Sequence, residues 1–267
     1  MRAPPGKCLF CLSNAGPFLR VEHPIPESLG NDDLVLPLGF VCDGCNQYFG
    51  SKIEKHVLES MPFAGVRIML NVPNKKGRLT HFTCKDHYSV FPTTYRDLVL
   101  FAGRQPIIDA AMEGRAIPAP QFPEDDWLMA RFLLKMGLEL LLTDDLVNPF
   151  DAEFNGSRRF SRCPNVGDSW RFATGRYPRR DDLINYSFIR DGETWLNENL
   201  YQYSIGKMAN RDVYFAFLYR DHYFAINLNS PNCTAYVEEF NVMNEFLLQI
   251  IVARHPASNS GTKAGSI

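Results

Sequence analysis

Cys8-Leu9-Phe10-Cys11 and Cys42-Asp43-Gly44-Cys45 are the two cysteine pairs on which the fold of the N-terminal region depends. Each pair presents two thiolates from a tight turn, so both pairs together can supply four sulfurs tetrahedrally to one Zn²⁺ ion. Little apolar sequence surrounds them, and a small core of four free cysteines would not be stable without a metal. We therefore predict a structural zinc site, with no coordination position open for chemistry. Its ligands are Cys8, Cys11, Cys42 and Cys45.

Two polar motifs lie beside these cysteine pairs. Glu22-His23-Pro24-Ile25-Pro26 falls between the pairs, and Cys45-Asn46-Gln47-Tyr48-Phe49-Gly50 continues from the second one. Taken singly, a histidine is more often a satisfied structural residue, and an asparagine at a helix start is more often an N-cap. In this order and beside a Cys₄ site, His23 and Asn46 together favour catalysis.

The ordered combination C-x₂-C, E-H-x-x-P and C-x₂-C-N with a following F-G closely resembles the HNH endonucleases of the zinc-containing kind. The resemblance covers about residues 7–59, roughly one fifth of the chain. It implies a ββα-metal module, in which a two-stranded hairpin is followed by a helix and a catalytic metal lies between them. It also implies hydrolysis of phosphodiester bonds that leaves 5′-phosphate and 3′-hydroxyl ends, with DNA favoured over RNA as the substrate.

The same resemblance assigns roles to single residues. His23 matches the general base that activates water, and Glu22 and Asn46 match ligands of the catalytic cation. Carboxylate and amide oxygens suit a hard cation such as Mg²⁺ or Mn²⁺. Asn31 and Asp33 are both candidates to brace the hairpin and orient His23; Asp33 fits the family register better, and Asn31 keeps the residue type.

The module itself is not basic. Residues 1–60 contain five Lys/Arg and seven Asp/Glu, so they would not hold a phosphate backbone strongly alone. Lys52 and Lys55, early in the predicted helix, are either phosphate contacts or solvated side chains.

A basic stretch further along the chain is the better candidate for a nucleic-acid contact. Residues 157–180 hold seven arginines and the single acid Asp168, which gives a net charge of +6, and aromatic residues lie among them. Arginine forks suit phosphate oxygens, and aromatic rings could stack on bases. The alternative is an arginine-rich loop docked on the acidic residues at 144–145 and 151–153. The predicted contacts are Lys52, Lys55, Arg158, Arg159, Arg162, Arg171, Arg176, Arg179 and Arg180.

The rest of the chain predicts a β-rich domain with two main helices. The predicted elements are a hairpin of residues 66–72 and 78–83, a connection over 103–126, a helix over 127–142, a hairpin of residues 213–219 and 222–228, and a helix over about 238–254. The fold class predicted is therefore α+β. We divide it into an HNH ββα-metal module over residues 1–60 and a substrate-binding or specificity domain over residues 61–267.

Bulk composition excludes several classes. The 267 residues are 45% hydrophobic and 22% charged, with a net charge of −2, which is typical of a globular rather than a disordered protein. No apolar run approaches the roughly 20 residues of a membrane helix. The N-terminus has no apolar core of a secretory signal, so we expect a cytoplasmic protein.

Three functions remain open at this stage. The favoured one is a DNA endonuclease, for which the family suggests restriction or phage defence and, because such modules often cut both strands as pairs, a homodimer. The second is a catalytically idle zinc-binding adaptor for nucleic acid or protein, which would have no use for Glu22, His23 and Asn46 together. The third is a ligand-gated effector nuclease, in which the C-terminal domain senses a small ligand or a modified base.

Overall fold

Turns, one bridge and a 3₁₀ turn (Glu27–Leu29) precede the first α-helix of the computed structural model. The structure describes residues 6–31, 33–74, 76–84, 88–94, 97–115, 126–144, 146–163, 165, 167–177, 200–244 and 246–255. The expected hairpin is reduced to one antiparallel bridge, between Glu22 and Leu36. Helix α1 (Asp43–Phe49) begins directly after Cys42 and continues through one π-helical turn (Gly50–Glu54) into α2 (Lys55–Leu58).

The segment after α2 corrects one prediction. Residues 66–72 do not form a strand, because α3 (Phe63–Met69) covers most of them. Its buried residues, Phe63, Ala64, Arg67 and Ile68, lie on one helical face, which outweighs the β-branched composition that suggested a strand. The predicted turn is in the expected place, since the Asn74 amide donates to the Arg78 carbonyl at 2.9 Å.

A three-stranded antiparallel sheet follows, in the order β1-β2-β3. Its strands are β1 (Phe82–Cys84), β2 (Tyr88–Thr94) and β3 (Asp97–Ala102). Helix α4 (Gln105–Met112) lies inside the segment that was expected to be a connection.

Helix α5 (Asp126–Leu140) matches the prediction and lies at the centre of the structure. All its residues from Leu128 onward are buried, including the charged Arg131, Lys135 and Glu139. The helix approaches the large sheet closely at Gly137, where a Cβ atom would lie only 2.8 Å from Cβ of Phe215.

The large sheet has five antiparallel strands in the order β5-β6-β7-β4-β8. The predicted hairpin at its centre is confirmed. The prediction of a helix over 238–254 is wrong in its second half, because α7 ends at Met243 and the β-branched run from Ile250 to Val252 pairs with β4. The elements are α6 (Asn155–Arg162), β4 (Ser169–Arg176), β5 (Tyr201–Lys207), β6 (Val213–Tyr219), β7 (His222–Asn227), α7 (Thr234–Met243) and β8 (Gln249–Arg254).

One hydrophobic core joins the N-terminal module to the rest of the chain. It contains Cys8 and Phe49 from the module, Phe132 from α5 and Phe172 from the large sheet. The mixed helices and sheets confirm the α+β class. Among the described residues, the structure has no helix that is long and apolar enough to cross a membrane.

Candidate functional site

The four cysteines of the two pairs meet at one point. Their Sγ atoms all lie within 4.8 Å of one another, and those of Cys11 and Cys42 are 3.8 Å apart. A tetrahedral zinc site with Zn–S distances of about 2.3 Å has its sulfurs about 3.8 Å apart. The residues therefore fit a tetrahedral metal site that could hold zinc, with Cys8, Cys42 and Cys45 buried and Cys11 exposed.

The electrostatics of this centre also favour a cation. Burial and the neighbouring Cys8 and Cys42 raise the pKa of Cys11 to about 11. Its hydrogen bond with Cys8, followed by burial, raises the pKa of Cys45 above the ordinary value. Four ionised sulfurs at this spacing repel one another, and a bound cation would remove that repulsion.

Arg162 belongs to the surroundings of this centre. Its Nε donates to Sγ of Cys45 at 3.4 Å, and its guanidinium lies 4.0 Å from the centre of the Tyr48 ring. The half-buried Arg162 therefore contacts Cys45 and Tyr48, whereas the sequence predicted a nucleic-acid contact for it. Arg162 and Cys45 are far apart in the sequence, so no local motif predicted their contact.

His23 lies just beyond the bridge and is held at two points. Its Nε2 is 2.9 Å from Oε1 of Glu27, and its backbone carbonyl accepts a hydrogen bond from Nζ of Lys135 at 2.8 Å. Nδ1 is shielded from solvent and has no hydrogen-bond partner within the described part of the chain. The sequence did not single out Glu27, although the four-residue spacing from His23 was visible.

Asn46 ties helix α1 to the segment that carries His23. Its Nδ2 donates to the carbonyl of Val21 at 3.0 Å. The N-cap of α1 is Cys42, so Asn46 is not the helix cap that the sequence left open as an alternative.

The brace of this region is Asn31 and not Asp33. Asn31 is buried; its Nδ2 donates to the carbonyls of Ile25 at 2.6 Å and Leu34 at 2.9 Å, and its Oδ1 accepts from the Leu34 amide. Asp33 is exposed. The preference for Asp33 in the brace is therefore corrected, because only a buried amide can satisfy donors and acceptors on both sides of the turn.

Glu22 lies in a buried cluster of charges. Nζ of Lys135 is 2.6 Å from Glu22, 2.9 Å from Glu54 and 3.0 Å from Glu139. Burial acts to lower the pKa of Lys135, but the three carboxylates outweigh it and hold that pKa well above the ordinary value. Burial raises the pKa of Glu139 well above its ordinary range. The feature of the sequence that pointed to this cluster was the pair Lys135 and Glu139, four residues apart in an apolar helix.

The residues of the predicted basic surface differ in their exposure to solvent. Lys52 and Lys55 are exposed on the helix that follows Asn46. Arg158 is buried and donates to the carbonyls of Pro149 and Asp151, which corrects its assignment to nucleic acid and favours the internal role left open above.

The other arginines of the stretch lie at the surface with protein partners, or outside the described residues. Arg159 is 3.6 Å from Asp168, Arg176 is 3.1 Å from Asp221, and Arg171 donates to Asn232 at 3.2 Å. Arg179 and Arg180 lie outside the described residues. The neighbouring aromatic residues Phe160, Trp170 and Phe172 are buried in the core, so they do not offer faces for base stacking.

A comparison with protein-family models found a match that agrees with this geometry. Comparisons with curated proteins and with solved structures found no match. The family model described as HNH endonuclease matches residues 8–62, a segment that includes all four clustered cysteines, His23 and Asn46. Residues 8–62 of this chain are therefore similar to an HNH endonuclease domain.

Proposed function

We propose that the module is a metal-dependent endonuclease that hydrolyses phosphodiester bonds in DNA. The observation that carries the proposal is the hydrogen bond from Asn46 to the Val21 carbonyl, two residues before His23. It ties Asn46, the residue next to Cys45, to the segment that carries His23. Zinc in that centre would be structural, because four thiolates leave no open ligand position.

His23 is the general base of the proposed reaction. Its imidazole takes a proton from water, the water oxygen bonds to phosphorus, and the bond from phosphorus to the 3′-oxygen breaks. The leaving oxygen takes a proton from solvent, so the products carry 5′-phosphate and 3′-hydroxyl ends. Histidine is the side chain that enzymes use most often for such a proton transfer.

Asn46 and Glu22 are the residues that would hold Mg²⁺ or Mn²⁺. An amide oxygen and a carboxylate oxygen are the donors that a hard cation prefers, so the residue types fit. When bound there, such a cation supplies Lewis-acid stabilisation of the negative charge that develops on the phosphate oxygens. Glu22 shares its carboxylate with Lys135, and Glu54 beside it adds negative charge.

DNA would approach the exposed side of the module helix. Lys52 and Lys55 are the exposed cations there, and Arg159, Arg171 and Arg176 extend the proposed contact on the downstream domain. A role in restriction or phage defence, and cleavage of both strands by a homodimer, complete the proposal.

A second candidate function is a catalytically idle zinc-binding adaptor. One observation favours it, because the Glu22 carboxylate is buried against the Lys135 ammonium. The adaptor would bind nucleic acid or a protein without cutting it.

The experiment compares wild type with His23→Ala on supercoiled plasmid in Mg²⁺, Mn²⁺ or EDTA. We expect metal-dependent nicking by wild type and a rate at least about 100-fold lower for the variant, the low end of what a general base contributes. The matched control is His56→Ala, because His56 is an exposed histidine on the same module. Equal rates for His23→Ala and wild type would contradict the proposal. A wild type that retains zinc but cuts neither plasmid, linear DNA nor RNA would favour the adaptor.

A further inference from the structure

We propose that Glu27 is the positioning residue of His23, and that it makes Nδ1 the atom that accepts the proton from water. The proposal rests on the proposed nuclease function. It adds a residue that neither the motif nor the family match assigns, and it chooses between the two ring nitrogens.

The hydrogen bond between Glu27 and His23 determines which nitrogen carries the hydrogen. Oε1 of Glu27 is 2.9 Å from Nε2 of His23, within hydrogen-bond distance. An ionised carboxylate only accepts hydrogen bonds, so Nε2 must be the donor. In a neutral imidazole the other nitrogen, Nδ1, then has the free lone pair.

The backbone around this pair holds both side chains in place. Glu27 begins a 3₁₀ turn whose next two residues are buried, and its carbonyl accepts from the Gly30 amide at 2.9 Å. The His23 carbonyl is held by Lys135, and only 12% of the His23 side chain is exposed. With backbone and Nε2 both fixed, the imidazole has little freedom to turn.

The second observation that supports the proposal concerns Nδ1 of His23. It is shielded from solvent and lacks a hydrogen-bond partner among the described residues. A buried polar atom without a partner is destabilising, and where proteins keep one it needs a functional explanation. A lone pair reserved for the attacking water is that explanation.

The Glu27 carboxylate also assists the reaction itself. Once Nδ1 has taken the proton, the ring is positively charged, and a carboxylate at hydrogen-bond distance stabilises that charge. Glu27 is about one third exposed, so substitutions there should leave the fold intact.

The test measures the tautomer of His23 and the nuclease rate on the full-length protein. The chain is labelled with ¹⁵N-histidine, the long-range ¹H–¹⁵N spectrum is recorded at pH 8, and the His23 signals are assigned by their loss in His23→Ala. We compare wild type, Glu27→Ala and Glu27→Gln, whose amide oxygen can still accept from Nε2. Glu59→Ala, at an exposed glutamate of the same module, is the matched control.

We expect the hydrogen on Nε2 in wild type, Glu27→Gln and the control. Glu27→Ala should give a mixture of both tautomers, with kcat lower by about 100-fold and an unchanged KM. A hydrogen on Nδ1 in wild type, or an unchanged tautomer and kcat in Glu27→Ala, would overturn the proposal. If the tautomers behave as expected but wild type does not cut, the proposed function fails, and the role of Nδ1 as base is overturned with it.

Discussion

The buried side chain of Lys135 has several charged and polar partners. The Lys135 ammonium contacts three carboxylates and the backbone carbonyls of His23 and Pro24. Burying an ion costs several kcal/mol unless partners and hydrogen bonds compensate for the lost water. Part of the compensation comes from Glu22 and His23 of the candidate active site, so Lys135 links stability to the proposed chemistry.

Replacing Lys135 by methionine should therefore be strongly destabilising. Glu22 and Glu54 would be left side by side without a counter-charge, and we expect a loss of about 3–5 kcal/mol in the free energy of unfolding. Urea denaturation followed by circular dichroism measures this loss. Met136→Leu, a volume-conserving change at the next buried position, should cost less than about 1.5 kcal/mol. Similar small losses for both variants would contradict the structural role of Lys135.

Residues close in sequence were predictable, and those joined through the fold were not. The cysteine spacing, His23 and Asn46 all follow from short motifs whose chemistry depends on local order. The choice between Asn31 and Asp33 depends on which of them the turn buries, and a sequence does not contain that information. Lys135 reaches the site from more than 100 residues away, so no motif linked it to Glu22.

The element on which the module depends most is the helix that begins after Cys42. Two of the four clustered cysteines lie at its start, Asn46 directly follows the second of them, and a π-helical turn follows at Gly50–Glu54. Turns of this kind occur often at functional sites.

Elements with weaker sequence patterns were less predictable. Both α3 and β8 contain β-branched residues, and burial against different neighbours made one a helix and the other a strand.

Loss of one cysteine ligand should unfold the helix that begins after Cys42. A structural zinc contributes on the order of 10 kcal/mol, comparable with the whole stability of a domain. We expect Cys42→Ser to purify with little zinc, to lose helical circular dichroism and to be inactive. Cys163→Ser should retain zinc, because Cys163 is an exposed cysteine outside the cluster. A Cys42→Ser protein that stays folded and active without zinc would contradict the Cys₄ assignment.

At the scale of the whole molecule, the N-terminal module and the remaining chain are packed as one body. The core runs from Cys8 through α5 to Ala253 in β8 without a break at residue 60. Arg162 and Lys135, both from the downstream part, reach the cysteine centre and the candidate active site. The predicted division at residue 60 is therefore a proposal about function rather than about separate cores.

This packing predicts that the full-length protein releases zinc and unfolds in a single thermal transition. Zinc release is followed with a chromogenic chelator, and unfolding of the sheet is followed by tryptophan fluorescence, to which the buried Trp170 contributes. Because one core includes both regions, neither can unfold while the other keeps its apolar contacts, so the two curves should coincide. Cys42→Ser should then also lower the transition seen by fluorescence, although Trp170 lies on the large sheet. Zinc release well below an unchanged fluorescence transition would show instead that the module unfolds alone, and Lys135 and Arg162 would be contacts of little energetic weight.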